Sequence, residues 1–188
     1  MKAIIVIFML LTGWLSSLSE NPYYYSMGEK IPLTKVNDRM CVAVSLSTQI
    51  SLPSDCSVVK EFKDDYFRII VCENKVRNGI GSDAESFKAK LLAVSPTAIV
   101  SPCYKTASGD NVGVSPYLNV ELKQATDSTL LETAARVNNL TIVSQSKFLP
   151  LWYILSVTPE TNCTSLDIAN WLYETGLFGE SIADFLDI

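Results

Sequence analysis

The chain has 188 residues, 48% of them hydrophobic, and carries a formal net charge of −5 at neutral pH. It contains no histidine, which removes the imidazole base of a Ser-His-Asp triad and the mixed cysteine–histidine zinc sites. An acidic chain with scattered lysines also lacks the basic footprint of a nucleic-acid binder, and no cofactor is expected, since the Gly79-Ile80-Gly81 run is too incomplete to be a phosphate loop.

Lys2, the apolar run from Ala3 to Leu15 and the small residues Ser17 and Ser19 predict a secretory signal over residues 1–19, cleaved after Ser19. The run is shorter than the roughly 20 apolar residues of a spanning helix. No stable membrane insertion is therefore expected after signal removal, and the protein is read as exported to the periplasm, the cell surface or the medium. No cysteine stands at the cleavage point for a lipid anchor; the first is Cys41.

Residues 21–28 are aromatic and turn-rich. Residues 31–36 and 40–46 are apolar runs separated by Asn37-Asp38, which predicts a hairpin. Residues 47–55, with Pro53 and several serines, form a loop. Strands follow at 57–62 and 66–73, joined by Lys63-Asp64-Asp65. Ser82 and Glu85 make a capping box for a helix over 83–94, which Pro96 ends. Strand character returns at 97–104, then a turn at 108–110 and Val112-Gly113-Val114. Alternation of Leu118, Val120 and Leu122 with Asn119, Glu121 and Lys123 predicts a strand with one buried face. A helix over 127–139 comes next, then strands at 140–148 and 151–157. A second helix is capped by Thr164 or Ser165 and ended by Gly176, and a closing strand or tail occupies 180–188.

From residue 115 the order is strand, helix, strand, strand, helix, strand, the split βαβ or ferredoxin-like arrangement. The preceding residues repeat it with one helix replaced by the 47–55 loop. The expected class is thus α+β: two tandem ferredoxin-like sandwiches, a degenerate one in residues 20–113 and a complete βαββαβ one in residues 114–188. Five cysteines, Cys41, Cys56, Cys72, Cys103 and Cys163, include no Cys-x-x-Cys pair, and the odd number leaves at least one thiol over. Most are expected as small buried apolar side chains. A Cys41–Cys72 bond across neighbouring strands is one pairing the sequence allows, but spacing fixes none.

Tyr23-Tyr24-Tyr25 with Gly28-Glu29-Lys30-Ile31-Pro32-Leu33, the strand at 120–123, and the helix Asp167-Ile168-Ala169-Asn170-Trp171-Leu172-Tyr173-Glu174-Thr175-Gly176-Leu177-Phe178 resemble the N-terminal pro-region of exported subtilisin-like serine peptidases of Bacteroides-type bacteria. The resemblance spans nearly all of residues 20–188 and rests on two short motifs, with no peptidase domain in the sequence. It implies a propeptide-like, non-catalytic protein that binds, inhibits or chaperones a subtilisin-like peptidase in trans.

Two surfaces are candidates for that contact. If Leu118, Val120 and Leu122 face the helices, Tyr117, Asn119, Glu121 and Lys123 line the open face of the second sheet, and Trp152 and Ile154 either join them or are core, which periodicity leaves open. The resemblance implies that the tail, Ala183, Asp184, Phe185, Leu186, Asp187 and Ile188, lies in the peptidase cleft as an extended strand; an ordinary closing edge strand is the other reading. An exported protein- or glycan-binding surface module, or a truncated precursor without activity, is the alternative function. Asp64 and Asp65 are read as solvated surface, and enzymatic activity and metal binding are not expected. Asn139-Leu140-Thr141 and Asn162-Cys163-Thr164 match the N-glycosylation pattern, which counts only in a eukaryotic secretory path.

Overall fold

The computed structural model describes residues 21–75 and 83–188, an α+β arrangement of ten strands and three α-helices. The expected signal at residues 1–19 lies outside the described residues, as does Ser82. Strands β1 (Tyr23–Ser26) and β2 (Glu29–Pro32) form a separate hairpin. Its turn, Met27-Gly28, has φ of 51° and 83°, the paired positive values of a type I′ turn whose twist suits a two-residue hairpin.

The hairpin expected around Asn37-Asp38 is not formed. β3 (Thr34–Ser45) runs straight through it, and the register against β6 (Ile99–Lys105) slips between Val36 and Met40. The two polar residues sit in a bulge, the other place where extra chain leaves a ladder. β4 (Cys56–Lys63) and β5 (Phe67–Asn74) are joined by a turn in which the Asp64 carboxylate accepts from the Tyr66 and Phe67 amides at 2.7 and 2.8 Å. Helix α1 (Ala84–Val94) is capped by Asp83, which accepts from the Ser86 amide at 2.9 Å. This satisfies one of the unpaired first-turn donors.

β7 (Asn111–Glu121), α2 (Ser128–Val137), β8 (Leu140–Gln145), β9 (Trp152–Val157), α3 (Ser165–Glu174) and β10 (Ser181–Asp187) complete the chain. Thr164 and Asp167 cap α3 reciprocally. Strands β3 to β10 make one antiparallel sheet in the order β4-β5-β3-β6-β7-β9-β8, with β10 also paired to β7. β7 holds the sheet together: residues 111–113 pair with β6, residues 117–121 pair with β9, and β10 pairs along nearly its whole length. Pro116, which has no amide proton to give, falls where β6 has ended and β9 has not begun. The boundary expected between residues 113 and 114 lies inside this strand, not in a linker.

Leu118, Val120, Leu155, Leu131, Ile168 and Leu172 are buried together where α2 and α3 cover one face of β7 and β9. Burying each such side chain contributes about 1.5–3 kcal/mol. Under α1, Met40, Val42, Val44 and Ile70 pack on Phe87 and Leu91. The opposite face of β3 and β5 carries Cys41, Ala43, Ile69 and Val71, against which Leu186 and Ile188 pack. With both faces covered, β3 reads as a continuous apolar run at 40–44 instead of an alternating one.

Candidate functional site

The register of β7 and β9 fixes the open face. Asn119 lies opposite Ile154, Glu121 opposite Trp152 and Tyr117 opposite Ser156, and residues directly paired across two strands point to the same side. Leu118 and Val120, one step away, are buried under the helices. Tyr117, Asn119, Glu121, Trp152 and Ile154 therefore share the face turned away from α2 and α3, each half-buried. Lys123 falls beyond the end of β7, where its ammonium donates to the Gly176 carbonyl instead of lining this face.

Neighbouring strands extend the surface. Ile182 of β10 pairs with Asn119 and is 37% exposed, and Ser144 of β8 pairs with Ile154. Ile182 is absent from the sequence-derived set, and alternation would not have found it, since an isoleucine beside Ser181 reads as the inward residue; only the register against Asn119 turns it outward. At one end of the face, Phe67 meets Tyr117 edge-on with ring centroids 5.5 Å apart. Burial, and after it the Asp64 carboxylate, push the Tyr117 phenol well above its ordinary range, so it stays a neutral hydroxyl.

The tail occupies a different environment from the one the resemblance implies. Residues 181–187 are β10, paired with β7 from Ser181↔Val120 to Asp187↔Val112. Ala183 is buried. The Asp184 carboxylate accepts from Ser115 Oγ at 2.8 Å. Phe185 meets Tyr24 edge-on at 5.5 Å, Leu186 and Ile188 pack on the β3/β5 face, and the exposed Asp187 has its carbonyl held by Lys60 Nζ at 2.6 Å. Of the two readings of this segment, the structure has the closing strand: every residue from Ala183 to Ile188 is engaged within its own molecule, and none forms a free extended end.

The two motifs that carry the resemblance come into contact, which spacing alone did not reveal. Tyr23 and Tyr25, two apart on β1, point the same way, and both hydroxyls donate to Glu174 Oε1 at the end of α3, at 2.7 and 2.9 Å. Lys30 Nζ lies 3.3 Å from the same oxygen and 4.2 Å from the Tyr23 ring centroid. Tyr25 stacks on Tyr173 at 4.2 Å, and Asn170 Nδ2 donates to the Tyr23 carbonyl at 2.8 Å. Burial pulls the Glu174 carboxyl up, but the two phenol hydrogen bonds and the Lys30 ammonium outweigh it and hold the group below its usual range. Burial, then the Glu174 contact, raises the Tyr23 phenol to about 12. This cluster fastens the β1–β2 hairpin to α3, and its groups are spent on one another.

The Cys41–Cys72 pairing that the sequence allowed is ruled out by the pleat. Cys72 pairs with Met40, one residue from Cys41, so the two thiols leave the sheet on opposite faces. All five cysteines are free. Among the described residues no group of three or more Cys, Asp or Glu side chains is placed to hold a metal ion, and no helix is long and apolar enough to cross a membrane. Comparison of the chain with protein-family models, with curated proteins and with solved structures finds no match.

Proposed function

We propose that this is an exported, non-catalytic binding protein, built from two tandem ferredoxin-like modules, that docks a subtilisin-like serine peptidase through the open face of its second module. The observation that carries the reading is the arrangement of the second half. The strands run β10-β7-β9-β8 with both helices on one side, leaving Tyr117, Asn119, Glu121, Trp152 and Ile154 together on the other. The first half repeats the order as β6-β3-β5-β4, with residues 46–55 standing where a helix would be. A face with two large aromatics, aliphatic neighbours and a polar rim is the usual composition of a protein-docking patch.

The engaged closing strand narrows the mode of action. Releasing Ala183 to Ile188 into a peptidase cleft would break their pairing with β7 and uncover the half-buried Leu186 and Ile188, at a cost of about 1 kcal/mol for each apolar side chain alone. Docking through the sheet face leaves this strand in place, so the expected action is holding or assisting the folding of the peptidase, with its cleft left open to small substrates.

Calorimetric titration against a subtilisin-like peptidase tests this, with Trp152→Ala and Asn119→Arg as face variants. A tryptophan buried in an interface is worth about 2 kcal/mol, roughly 30-fold in Kd. Loss of that size in both variants, with cleavage of a small peptide substrate unchanged, is the expected result. No complex with the unaltered protein, or a complex indifferent to both substitutions, would refute the proposal.

A further inference from the structure

On the face of β3 opposite α1, Cys41 Sγ and Cys103 Sγ lie 3.8 Å apart, the one sulfur–sulfur hydrogen-bond contact among the described residues. Both are enclosed, at 2% and 0% exposure. They come from neighbouring strands, since Val36 pairs with Cys103 and Cys41 with Ser101 on either side of the β3 bulge. The third strand of the set, β7, makes room for them: Gly113 pairs with Cys103, and a Cβ there would stand 2.3 Å from Cys41 Sγ and 3.8 Å from Cys103 Sγ. The two sulfurs fill the slot that a missing side chain leaves.

The other three thiols are placed differently. Cys72 is under α1 on the far side of the sheet, with Cys56 at its margin, and Cys163 borders the α2/α3 core. We propose that Cys41 and Cys103 form a disulfide stapling β3 to β6 beneath β7 when the chain folds in contact with a disulfide oxidant, and that Cys56, Cys72 and Cys163 remain thiols. The inference does not rest on the docking reading. A disulfide bond is close to 2.05 Å, so each sulfur must move roughly 0.9 Å; because Cys103 lies diagonally from Cys41, beyond its Cα partner Ser101, the two strands must also draw together beside the β3 bulge.

With glutathione disulfide as the oxidant, the thiolate of one cysteine attacks it, the glutathione S–S bond breaks, and a mixed disulfide forms as one glutathione thiolate leaves. The second cysteine's thiolate then attacks the protein sulfur of the mixed disulfide. The Cys41–Cys103 bond forms and the second glutathione thiolate departs. Two protons pass from the two protein thiols to the two leaving thiolates, and the two electrons the protein loses reduce one glutathione disulfide to two thiols. In the finished fold the adjacent Cys103 thiol and burial hold the Cys41 thiol protonated, so the exchange belongs to the folding chain, before the slot closes.

The test is to refold the full chain in a glutathione/glutathione disulfide buffer, unfold it without reductant, alkylate with iodoacetamide and map the peptides by mass spectrometry. A reduced control takes up five labels. The expected oxidised product has a mass about 2 Da lower before labelling, takes up label only at Cys56, Cys72 and Cys163, and yields one linked peptide pair carrying Cys41 and Cys103. Cys72→Ser keeps the link, and Cys103→Ser abolishes it. Protein secreted into an oxidising compartment and purified without refolding gives the same map. Five labelled thiols in both preparations, or a link involving Cys56, Cys72 or Cys163, would overturn the proposal.

Discussion

Gly113→Ala tests the packing around the buried thiols most directly. The new methyl would sit 2.3 Å from Cys41 Sγ, while its next neighbours, Cys103 Sγ and Leu186 Cβ, are at an ordinary 3.8 Å. Cys41 is 2% exposed and hemmed in by Ala43, Ile69 and Val71, so the sulfur must be pushed aside within a close-packed layer. Overpacking of this kind costs about 1–3 kcal/mol, and the lower backbone entropy of alanine in the unfolded chain returns about 0.5–1 kcal/mol. The net loss is about 1–2 kcal/mol, or a Tm lowered by roughly 2–8 °C for a chain of this size. Thermal unfolding under reducing conditions reads it. Because one atom carries the clash, Cys41→Ala in the same chain should recover most of the loss, and the double-mutant cycle should show a favourable coupling of about 1–2 kcal/mol. A Gly113→Ala protein as stable as the unaltered one, or a double variant whose losses simply add, would refute the reasoning.

Three further outcomes follow from contacts at the hairpin. Glu174→Gln keeps the shape but removes the charge that two phenols and Lys30 share; with the site partly solvated, the loss is about 0.5–1 kcal/mol by urea unfolding. Since the folded carboxyl titrates below its ordinary value of 4.5, that stability is present above this pH and disappears as the pH falls through the folded value, so the difference between the two proteins should vanish in acid. At the alkaline end the sign reverses. The Tyr23 phenol is raised from 10.0 to about 12, so its contribution is complete below pH 10, where neither state has ionised. It is lost as the pH climbs towards 12, because the unfolded chain gives up its proton first. Urea midpoints over that window should fall less steeply in Tyr23→Phe. Met27→Asn relieves a left-handed backbone at a fully exposed side chain and should stabilise the protein by about 1 kcal/mol, giving the Asn-Gly pair that a type I′ turn prefers; a lowered Tm would count against the turn geometry.

Local pattern carried most of the elements. The alternation at 118–122 and the apolar runs at 140 and 152 each reappear as strands, and the Thr164 cap and Gly176 stop frame α3. What sequence could not supply was the choice between two uses of one signal. Asn37-Asp38 reads equally as a tight turn or a bulge, and only the pairing of residues on both sides with β6 selects the bulge. Pro116 has no amide proton to give, yet β7 continues because the proline falls where one neighbouring strand has replaced another. The facing of Trp152 and Ile154 was undecidable from a run of five apolar residues, since burial on either side of a sheet gives the same letters; register against Glu121 and Asn119 decides it. For the tail, sequence left the closing strand and the free extended end side by side, and the pairing with β7 selects the strand. Nothing local in Ala183 to Ile188 says that the face of β3 and β5 is waiting to be covered. The same is true of the Tyr23, Tyr25 and Glu174 cluster, whose members lie about 150 positions apart.

β7 serves two cores at once, with residues 111–113 completing the ladder of the first half while residues 117–121 anchor the second. The two halves therefore have one strand in common. Cutting the chain anywhere along this strand would strip an edge from both, and deuterium exchange should find the amides of Leu118 and Val120 among the last to open. Any natural shuffling that reuses one half must carry the strand with it, and mechanical tension applied across the two halves would have to unzip this shared keystone before either could yield alone.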